Sequence, residues 1–482
     1  VQGENSFIVR TLGCKANLAD GDRIEAELLR LGWKKAQTEG AARLCIVNSC
    51  TVTDEADRQS RKLASRLGRE NPDAVVVVTG CAAEVDPERI AGTPGVHYVI
   101  GNRTKLEIVE EILSKTSLPR PERGELLGKT SGYEEILSRH PIDRDWPSID
   151  PYTDATDLGA QNAHTRTFLK IQEGCNAFCT YCIIPYGRGP SRSLRPLELV
   201  DAVKQACANG AREVVLTGTN IGDYGMDWSP QGTAELGELL QVLLEATPIE
   251  RIRLSSLDPT EITDEIYALM EREPRLCAHF HVSLQSMSDR VLRLMKRRYG
   301  FAQVEDCLER IASLQPRSAS SCFVGMDVIT GFPGETDEDF EESFARFERL
   351  PWSRLHVFPY SERAGTPATR LPGSIPAQVR AARAKRLQKL SLNRVEKRAQ
   401  ATLEAHREIP LTGVLLETPY EDSHGRSWIA GTTSDYQRVV LSYDPQNQAL
   451  KRNACVSVRP VRLELKAAQG EAILIAEPCR QI

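Results

Sequence analysis

The sequence predicts an α/β protein in three parts, and three observations predict it. Strand-like and helix-like runs alternate over the first hundred or so residues, alternate again across 166–375, and give way near the end to short alternating strands. At 482 residues, 41% apolar and 26% charged, the chain is long enough for two to four domains. Its net charge of −5 is no global nucleic-acid signature, so any RNA contact has to come from a local patch. No apolar run is long enough to span a membrane. The chain opens at Val1, and what is present lacks the basic-then-apolar pattern of a signal peptide, so the cytoplasm is the default expectation. Thirteen cysteines without a regular framework point to metal or redox use more than to disulfides.

In the first part, Phe7–Leu12, Leu44–Asn48, Val75–Thr79 and Val96–Ile100 read as strands. Between them lie a helix over Asp20–Leu31, with Ile24, Leu28 and Leu31 at helical spacing, a polar helix over Asp54–Leu67 and a closing helix near Leu106–Leu113. This alternation argues a parallel sheet with right-handed crossovers. Cys14, Cys50 and Cys81 each fall just past a strand end, on the edge where parallel sheets bind ligands. Three thiolates there can hold an iron–sulfur cluster with one iron free of protein. The alternative is three unrelated cysteines, since Cys is often a small buried residue. Cys45, inside the second strand, is read in that way.

Residues 116–164 are rich in Pro, Ser, Gly and charge, with Pro119, Pro121, Pro141, Pro147 and Pro151, and read as a connector. Trp146 and Tyr152 are expected to anchor it to a neighbouring surface.

The second part starts from an apolar run, Phe168–Ile171, followed by EGCNAFCTYCIIPYGRGPSRS over Glu173–Ser193. Cys175, Cys179 and Cys182 form a C-x3-C-x2-C triplet suited to one face of a cube-shaped cluster, each thiolate on a different iron. A zinc site normally wants four protein ligands, and no fourth Cys or His lies nearby, His164 being upstream of the strand. A local disulfide is the other competing reading. Strands are expected at Thr167–Gln172, Glu213–Thr217, Arg251–Ser256, His279–Gln285, Phe323–Ile329 and Leu355–Tyr360, with helices such as Leu197–Ala208, Leu236–Leu244 and Ser288–Lys296 between them. Ser283 and Gln285 end the fourth strand with polar groups suited to a ribose or carboxylate. ITGFPGET, Ile329–Thr336, ends the fifth, with Thr336 as a helix cap. His279 and His281 face the same side of their strand and read as strand histidines rather than a metal pair. Cys207, Cys277, Cys307 and Cys322 have no ligand spacing.

In the third part, nine basic residues between Arg380 and Glu408 (Arg380, Arg383, Lys385, Arg386, Lys389, Arg394, Lys397, Arg398 and Arg407) are opposed only by Glu396, Glu404 and Glu408. The stretch reads as a solvated helix face that also hints at phosphate binding, with Arg383, Arg386 and Lys389 expected to add to RNA affinity. Strands at Leu411–Glu417, Ser427–Gly431, Arg438–Leu441, Cys455–Arg459 and Arg462–Leu465 suggest a small antiparallel barrel.

CNAFCTYCIIPYGRG…SRS resembles the radical S-adenosylmethionine (SAM) enzymes, and within them the methylthiotransferases; Ala177 and Leu194 stand where that branch often has basic residues. TLGCKAN, NSCTVT and TGCAAE are similar to its amino-terminal domain, with Asn17 and Asp20 as weaker candidates for shaping the site. The resemblance implies two 4Fe–4S clusters. One, on Cys175, Cys179 and Cys182, chelates SAM and cleaves it to a 5′-deoxyadenosyl radical; the other, on Cys14, Cys50 and Cys81, is auxiliary and holds the sulfur to be methylated. It places Tyr181 near the adenine of SAM and the loop Thr217, Gly218, Thr219, Asn220 at the SAM amino group, with Ser283 and Gln285 as further cofactor contacts. No catalytic acid or base is singled out. The implied layout is an N-terminal parallel α/β domain (4–116), a linker (117–160), a radical SAM core (161–394) built on a partial (β/α)6 barrel, and a TRAM-like RNA-binding barrel (395–470). NSCTVT and LTGTNIGDYG look most like the branch that acts on N6-threonylcarbamoyladenosine beside the tRNA anticodon. The alternatives are the isopentenyladenosine and ribosomal-protein branches, a radical enzyme whose second cluster only relays electrons, and a non-enzymatic RNA-binding iron–sulfur protein. The implied partners are tRNA and a reduced electron donor such as a flavodoxin or ferredoxin, with no membrane.

Overall fold

Runs that are apolar at every position, not every second one, build the first sheet, because both of its faces are covered. The computed structural model describes residues 5–104, 108–115, 124–128, 146, 166–228 and 235–479. Strands β1 (Ser6–Thr11), β2 (Lys34–Lys35), β3 (Leu44–Ser49), β4 (Val75–Gly80), β5 (Tyr98–Ile100) and β6 (Glu125–Leu127) form one parallel sheet in the order β2-β1-β3-β4-β5-β6. Phe7, Val9, Leu44, Ile46, Val75 and Val77 pack to one side with Ile24 and Leu28 of helix Lys15–Arg30. Ile8, Cys45, Val47, Val76 and Val78 pack to the other with Ala64 and Leu67 of helix Asp54–Glu70. Cys45 is thus a buried strand residue, as its position suggested.

The strand β6 is a correction: it lies inside the stretch read as linker. Three residues are too few to show periodicity. What docks them is Gly124, whose amide donates to Ala91 O at 3.0 Å and whose Cα faces Ala91 too closely for a side chain. Trp146 does anchor the connector, packing on Gly189 with Arg192 5.5 Å from its ring centroid. Tyr152, His164 and the five linker prolines lie outside the described residues.

The second part contains two parallel sheets. β7 (Arg166–Lys170), β10 (Glu213–Thr217) and β11 (Arg251–Leu254) form one, in the order β11-β10-β7. β12 (Ser256–Leu257), β13 (His279–Gln285), β14 (Phe323–Thr330) and β15 (Arg354–Pro359) form the other. Ser255 alone separates β11 from β12, so the strand expected at Arg251–Ser256 bends there and serves both sheets. The first strand also breaks, after Lys170. Its remainder, β8 (Gln172–Glu173), pairs antiparallel with β9 (Arg192–Ser193) and clasps the two ends of the cysteine loop. Gly174, at φ +80°, lies so close to Pro190 O that only glycine fits.

The last part is a closed five-stranded barrel of β16 (Leu411–Glu421), β17 (Ser427–Thr432), β18 (Arg438–Ser442), β19 (Cys455–Lys466) and β20 (Glu471–Pro478). Three details differ from expectation. Cys455–Arg459 and Arg462–Leu465 are one strand, its register shifting between Pro460 and Arg462. β20 lies wholly beyond residue 470, the expected domain end. Closure is not purely antiparallel, since β18 pairs parallel with β20.

The barrel docks on the starting ends of the core strands. Arg253, buried on β11, pairs with the fully buried Glu213 at 2.8 Å and donates to the Thr433 and Ser434 carbonyls of the β17–β18 connection. Ser434 Oγ accepts from Ala278 N at 3.0 Å, and Arg398 pairs with Asp435 at 2.8 Å. Arg253→Met is expected to cost about 3 kcal/mol in urea unfolding, because it strips a buried carboxylate of its main partner. Adding Glu213→Gln should recover part of that loss, since the remaining group is neutral; no recovery would mean that the charge pairing is not what Arg253 contributes.

Candidate functional site

Cys50 directly follows β3, Cys14 precedes helix Lys15–Arg30 as its N-cap, and Cys81 opens a short helix, Cys81–Val85, directly after β4. Because β1, β3 and β4 are adjacent and parallel, the three meet at one edge, and Cys50 is within electrostatic reach of both Cys81 and Cys14. Two glycines make room. Gly13, at φ +102°, approaches Cys50 Sγ too closely for any side chain, and Gly80, at φ +94°, does the same against Ser49 and Asn48. Asn102 Nδ2 donates to Cys81 Sγ at 3.6 Å and to Gly187 O at 2.7 Å, linking this edge to the YGRG turn.

On the core side, Ala177 N donates to Cys175 Sγ at 3.4 Å and Arg297 Nη1 to Cys179 Sγ at 3.0 Å. Cys182 is within reach of Cys179 and also of Cys81 from the other group. Both triplets therefore lie beside the YGRG turn.

Burial, reinforced by neighbouring cysteines, pushes the Cys50 and Cys182 thiols up to about 12, and burial raises Cys175 as well. Such thiols keep their protons until a metal replaces them. All thirteen cysteines are free thiols, so the disulfide reading falls. Among the described residues no three His, Cys, Asp or Glu side chains converge on a single ion. A cube-shaped cluster asks for a different arrangement, each thiolate at its own iron around one face. Two triplets of thiols with amide and guanidinium donors turned toward sulfur fit that demand better than zinc, which gathers four ligands about one centre.

Asn17 and Asp20 join the two halves. Arg188, 2% exposed, donates to Asn17 Oδ1 (2.7 Å), Asp20 Oδ2 (3.0 Å) and Glu173 Oε1 (2.7 Å). Lys170 bridges the same two carboxylates at 2.8 and 3.1 Å. Burial alone lowers the Arg188 pKa, but Cys81, Asp20, Glu173 and Cys14 outweigh it and raise it well above the ordinary value.

The residues expected to contact SAM gather at the carboxyl ends of the core strands. Gln172 Oε1 accepts from Thr219 N and Asn220 N, and Thr219 Oγ1 accepts from Gly174 N, so the Thr217–Asn220 loop is clamped to the cysteine loop. Thr217 is buried, and Gly218 presses on Gln172 O where a Cβ would not fit. Tyr181 sets its ring edge-on to Phe332 of the ITGFPGET loop at 6.3 Å, with its hydroxyl 3.5 Å from Arg297. Ser283 O accepts from Arg297 Nη2 and Tyr299 OH. Gln285 sits at φ +67° where the β13–β14 register shifts, a left-handed conformation uncommon for a non-glycine residue.

Sequence patterns did not single out Arg297, Asp258 or Glu261. Arg297 is paired with Asp258, and Glu261 accepts from Asn220 Nδ2 at 3.0 Å. Asp258 and Glu261 share one turn after β12, Arg297 and Asn220 come from two other loops, and only the fold brings them together. His281 pairs with Asp327 at 3.0 Å and stacks on His356 at 5.2 Å, so it is no half of a metal pair with His279.

The basic stretch needs correction. It lies on helix Ala377–Ala405, where Arg383 is buried against Glu335 and Asp337, Arg386 pairs with Glu341, and Arg380 with Glu362. Arg394 donates to the carbonyls of Phe347, Glu348, Leu350 and Trp352. These side chains bind the helix to the core rather than await phosphates.

Comparison with known proteins matches residues 169–347 to the radical SAM superfamily and residues 6–101 to an uncharacterized family, UPF0004. The chain is 35% identical to the threonylcarbamoyladenosine tRNA methylthiotransferase MtaB of Bacillus subtilis over 89% of each chain. It is also 35% identical to the Aquifex aeolicus protein of that name, over 84% of this chain and 92% of that one. The tRNA-2-methylthio-N(6)-dimethylallyladenosine synthase of Nitratidesulfovibrio vulgaris is 31% identical over 88% and 89%. Among solved structures, the radical S-adenosylmethionine methyltransferase TsrM from Kitasatospora setae shares the fold, with a TM-score of 0.52 at 15% identity over 76% of this chain and 77% of that one.

Burial, with Asp258 beside it, raises the Glu261 carboxyl from 4.5 to about 7. A raised carboxyl pKa means that the folded chain holds a proton the unfolded chain has released. The metal-free protein should therefore lose stability as pH rises from 4.5 to 7. Glu261→Gln should flatten the fall of its melting temperature across that window; an unchanged slope would place the proton elsewhere.

Proposed function

The chain belongs to the radical SAM methylthiotransferases, and from that premise we propose that it inserts a methylthio group at C2 of N6-threonylcarbamoyladenosine beside the tRNA anticodon. The relatives at 35% identity are named for this reaction, while the dimethylallyladenosine synthase stands at 31%. One observation carries the mechanism: the two cysteine triplets meet at the YGRG turn, where Asn102 bonds both Cys81 Sγ and Gly187 O.

In this reading Cys175, Cys179 and Cys182 hold one 4Fe–4S cluster, and Cys14, Cys50 and Cys81 hold the other. When bound, the first supplies an electron and a seat for SAM, and the second a seat for the sulfur to be transferred. The chain's own residues orient and seal. Arg297 fixes Cys179 and keeps a positive charge beside it. Gln172 ties the Thr217–Asn220 loop to the cysteine loop, placing the backbone of Gly218 where a ligand can approach closely. Tyr181, Ser283 and Gln285 complete the SAM side. Arg188 and Lys170, with their two carboxylates, hold the triplets at a fixed separation.

The two core sheets, joined through Ser255, are taken as the partial (β/α)6 barrel, and the C-terminal barrel as a TRAM-like module. The N-terminal domain then extends to Leu127, and the last domain runs from the end of helix Ala377–Ala405 to Pro478. Contact with tRNA is assigned to the face of the C-terminal barrel that carries Tyr420, Trp428 and Lys466 around a cavity of about 240 Å³, with Arg426 and Arg462 there paired to Asp422 and Glu464. Aromatic faces among cations are the usual means of gripping single-stranded RNA. No helix among the described residues is long and apolar enough to cross a membrane. A cytoplasmic enzyme reduced by a flavodoxin or ferredoxin is the setting this reading implies.

The test is a Cys14→Ala, Cys50→Ala, Cys81→Ala variant reconstituted anaerobically and assayed under dithionite. Iron should fall from about eight to about four per chain. Formation of 5′-deoxyadenosine should persist, and methylthiolated tRNA should vanish. Continued formation of methylthiolated tRNA would sink the assignment of sulfur to the N-terminal triplet.

A further inference from the structure

Strands that wrap around an interior normally fill it with aliphatic side chains, and the inward face of these core strands is polar instead. Phe280, Val282 and Leu284 of β13, Val324, Met326 and Val328 of β14, and Leu355 and Val357 of β15 pack outward, into the apolar core shared with the helices. Alternation then turns the others inward: His279, His281 and Ser283, Gly325 and Asp327, and Arg354, His356 and Phe358. The floor of that interior is a cavity of about 330 Å³, lined by both histidines of β13, by Arg354 and His356, and by residues of the C-terminal barrel. A Cβ on Gly325 would stand 3.6 Å from His281 Nδ1 and 3.9 Å from His356 Nε2, so the glycine leaves a gap between two imidazoles.

The same strand faces run from the floor to the cysteine triplets. Next above His281 on its face is Ser283, whose carbonyl accepts from Arg297, the residue that donates to Cys179 Sγ. Past Phe358, Ser361 Oγ accepts at 2.9 Å from the amide of Asp54, at the start of the helix that follows Cys50. Lys15 joins the floor to the N-terminal triplet. It is the residue after Cys14, it lines the cavity, and it lies within electrostatic reach of Asp327 and His356. Most other charges on the wall are matched: Arg166 with Glu417 (3.4 Å), Arg354 with Glu471 (3.8 Å) and His281 with Asp327 (3.0 Å). Among the described residues Lys15 makes no ion pair, nor does Arg438 at the exposed rim. His279, 3% exposed, keeps Nδ1 without a hydrogen-bond partner. An unpaired cation and an unsatisfied imidazole in one polar cavity call for an anion that also forms hydrogen bonds.

The function proposed above supplies one. A threonylcarbamoyl group carries a carboxylate and a hydroxyl at its end, whereas a dimethylallyl group is hydrocarbon throughout. We propose that the floor of the core interior is the subsite for the threonylcarbamoyl arm of the target adenosine, with the Lys15 ammonium binding its carboxylate. The inference rests on that function. The base lies at the mouth, beside both triplets, and the arm runs inward along the faces of β13 and β15. Two residues of strand span about 7 Å, a distance that the arm and the Lys15 side chain cover together. Selectivity follows from burial: a charged arm meets a fixed ammonium, while a hydrocarbon arm leaves that ammonium desolvated and unpaired.

The test uses the reconstituted full chain and anticodon stem-loop RNAs whose target adenosine carries threonylcarbamoyl, its methyl ester or dimethylallyl. The methyl ester is the same arm without the charge. The wild type should bind the threonylcarbamoyl RNA, and turn it over by kcat/KM, about thirtyfold better than the ester. Lys15→Gln should bring the two RNAs to within about threefold, by loss on the charged one alone. Lys15→Arg should keep most of the preference. Iron in Lys15→Gln should stay at about eight per chain, and its turnover of the ester should match the wild type. Loss of either would give Lys15 a structural role beside Cys14 and overturn the proposal. Equal handling of the charged and neutral arms by the wild type, or an unchanged preference in Lys15→Gln, overturns it as well. If the wild type methylthiolates none of the three RNAs, or only the dimethylallyl one, the function itself fails and the inference falls with it.

Discussion

Four buried charges hold this molecule in its working shape. Arg188 and Lys170 face Asp20 and Glu173, and none of the four is well exposed to water. Removing such charges from solvent costs several kcal/mol per ion, which only a well-formed set of partners offsets. The partners come from different domains: Asp20 from the helix after Cys14, Lys170 and Glu173 from the first core strands, and Arg188 from the turn after the core cysteines. The set is satisfied at one relative placement of the N-terminal sheet and the core, and sliding either would leave a charge buried alone. An apolar interface of the same size would tolerate small shifts. This one ties its geometry to the separation of the two cysteine triplets.

The same logic recurs where the C-terminal barrel meets the core. Arg253 and Glu213 are buried as a pair, and the guanidinium also satisfies two carbonyls of the incoming turn. Tyr436, in the left-handed region at φ +65°, sets its ring 4.7 Å from His279 and beneath Arg253. A bulky residue adopts that conformation only when its surroundings over-determine it. The turn is therefore shaped for the core, and the barrel is held as a fixed platform rather than as a domain on a loose tether.

Much of this was legible in the sequence because it depended on local pattern. Strands such as Glu213–Thr217 and His279–Gln285 have the expected limits, since apolar runs bounded by turn residues mark them directly. The meeting of Cys14, Cys50 and Cys81 followed from strand parallelism alone. What sequence could not show were contacts between segments far apart in the chain. Arg297 carries no local signal, yet it reaches Cys179 across 118 positions. Strand Glu125–Leu127 is too short to register and exists because the sheet edge was free. The basic run on helix Ala377–Ala405 misled in the other direction. Its charge density is real, but acidic partners on neighbouring loops and helices consume much of it, and linear charge counting cannot see them.

The two triplets also differ in setting, and that difference suits different tasks. Cys179 is buried with a guanidinium donating to its sulfur, and Cys182, half-buried, feels the charge of Cys179 and Arg297. In the other triplet Cys14 is exposed at the sheet edge, while Cys50 and Cys81 are buried. Hydrogen bonds to sulfur and exclusion of solvent are principal means by which a protein sets the potential of an iron–sulfur centre. A centre in the first setting is electrostatically biased by a fixed cation. A centre in the second has one exposed ligand, Cys14, and two buried ones. The buried charges around Arg188 keep the two settings close without merging them.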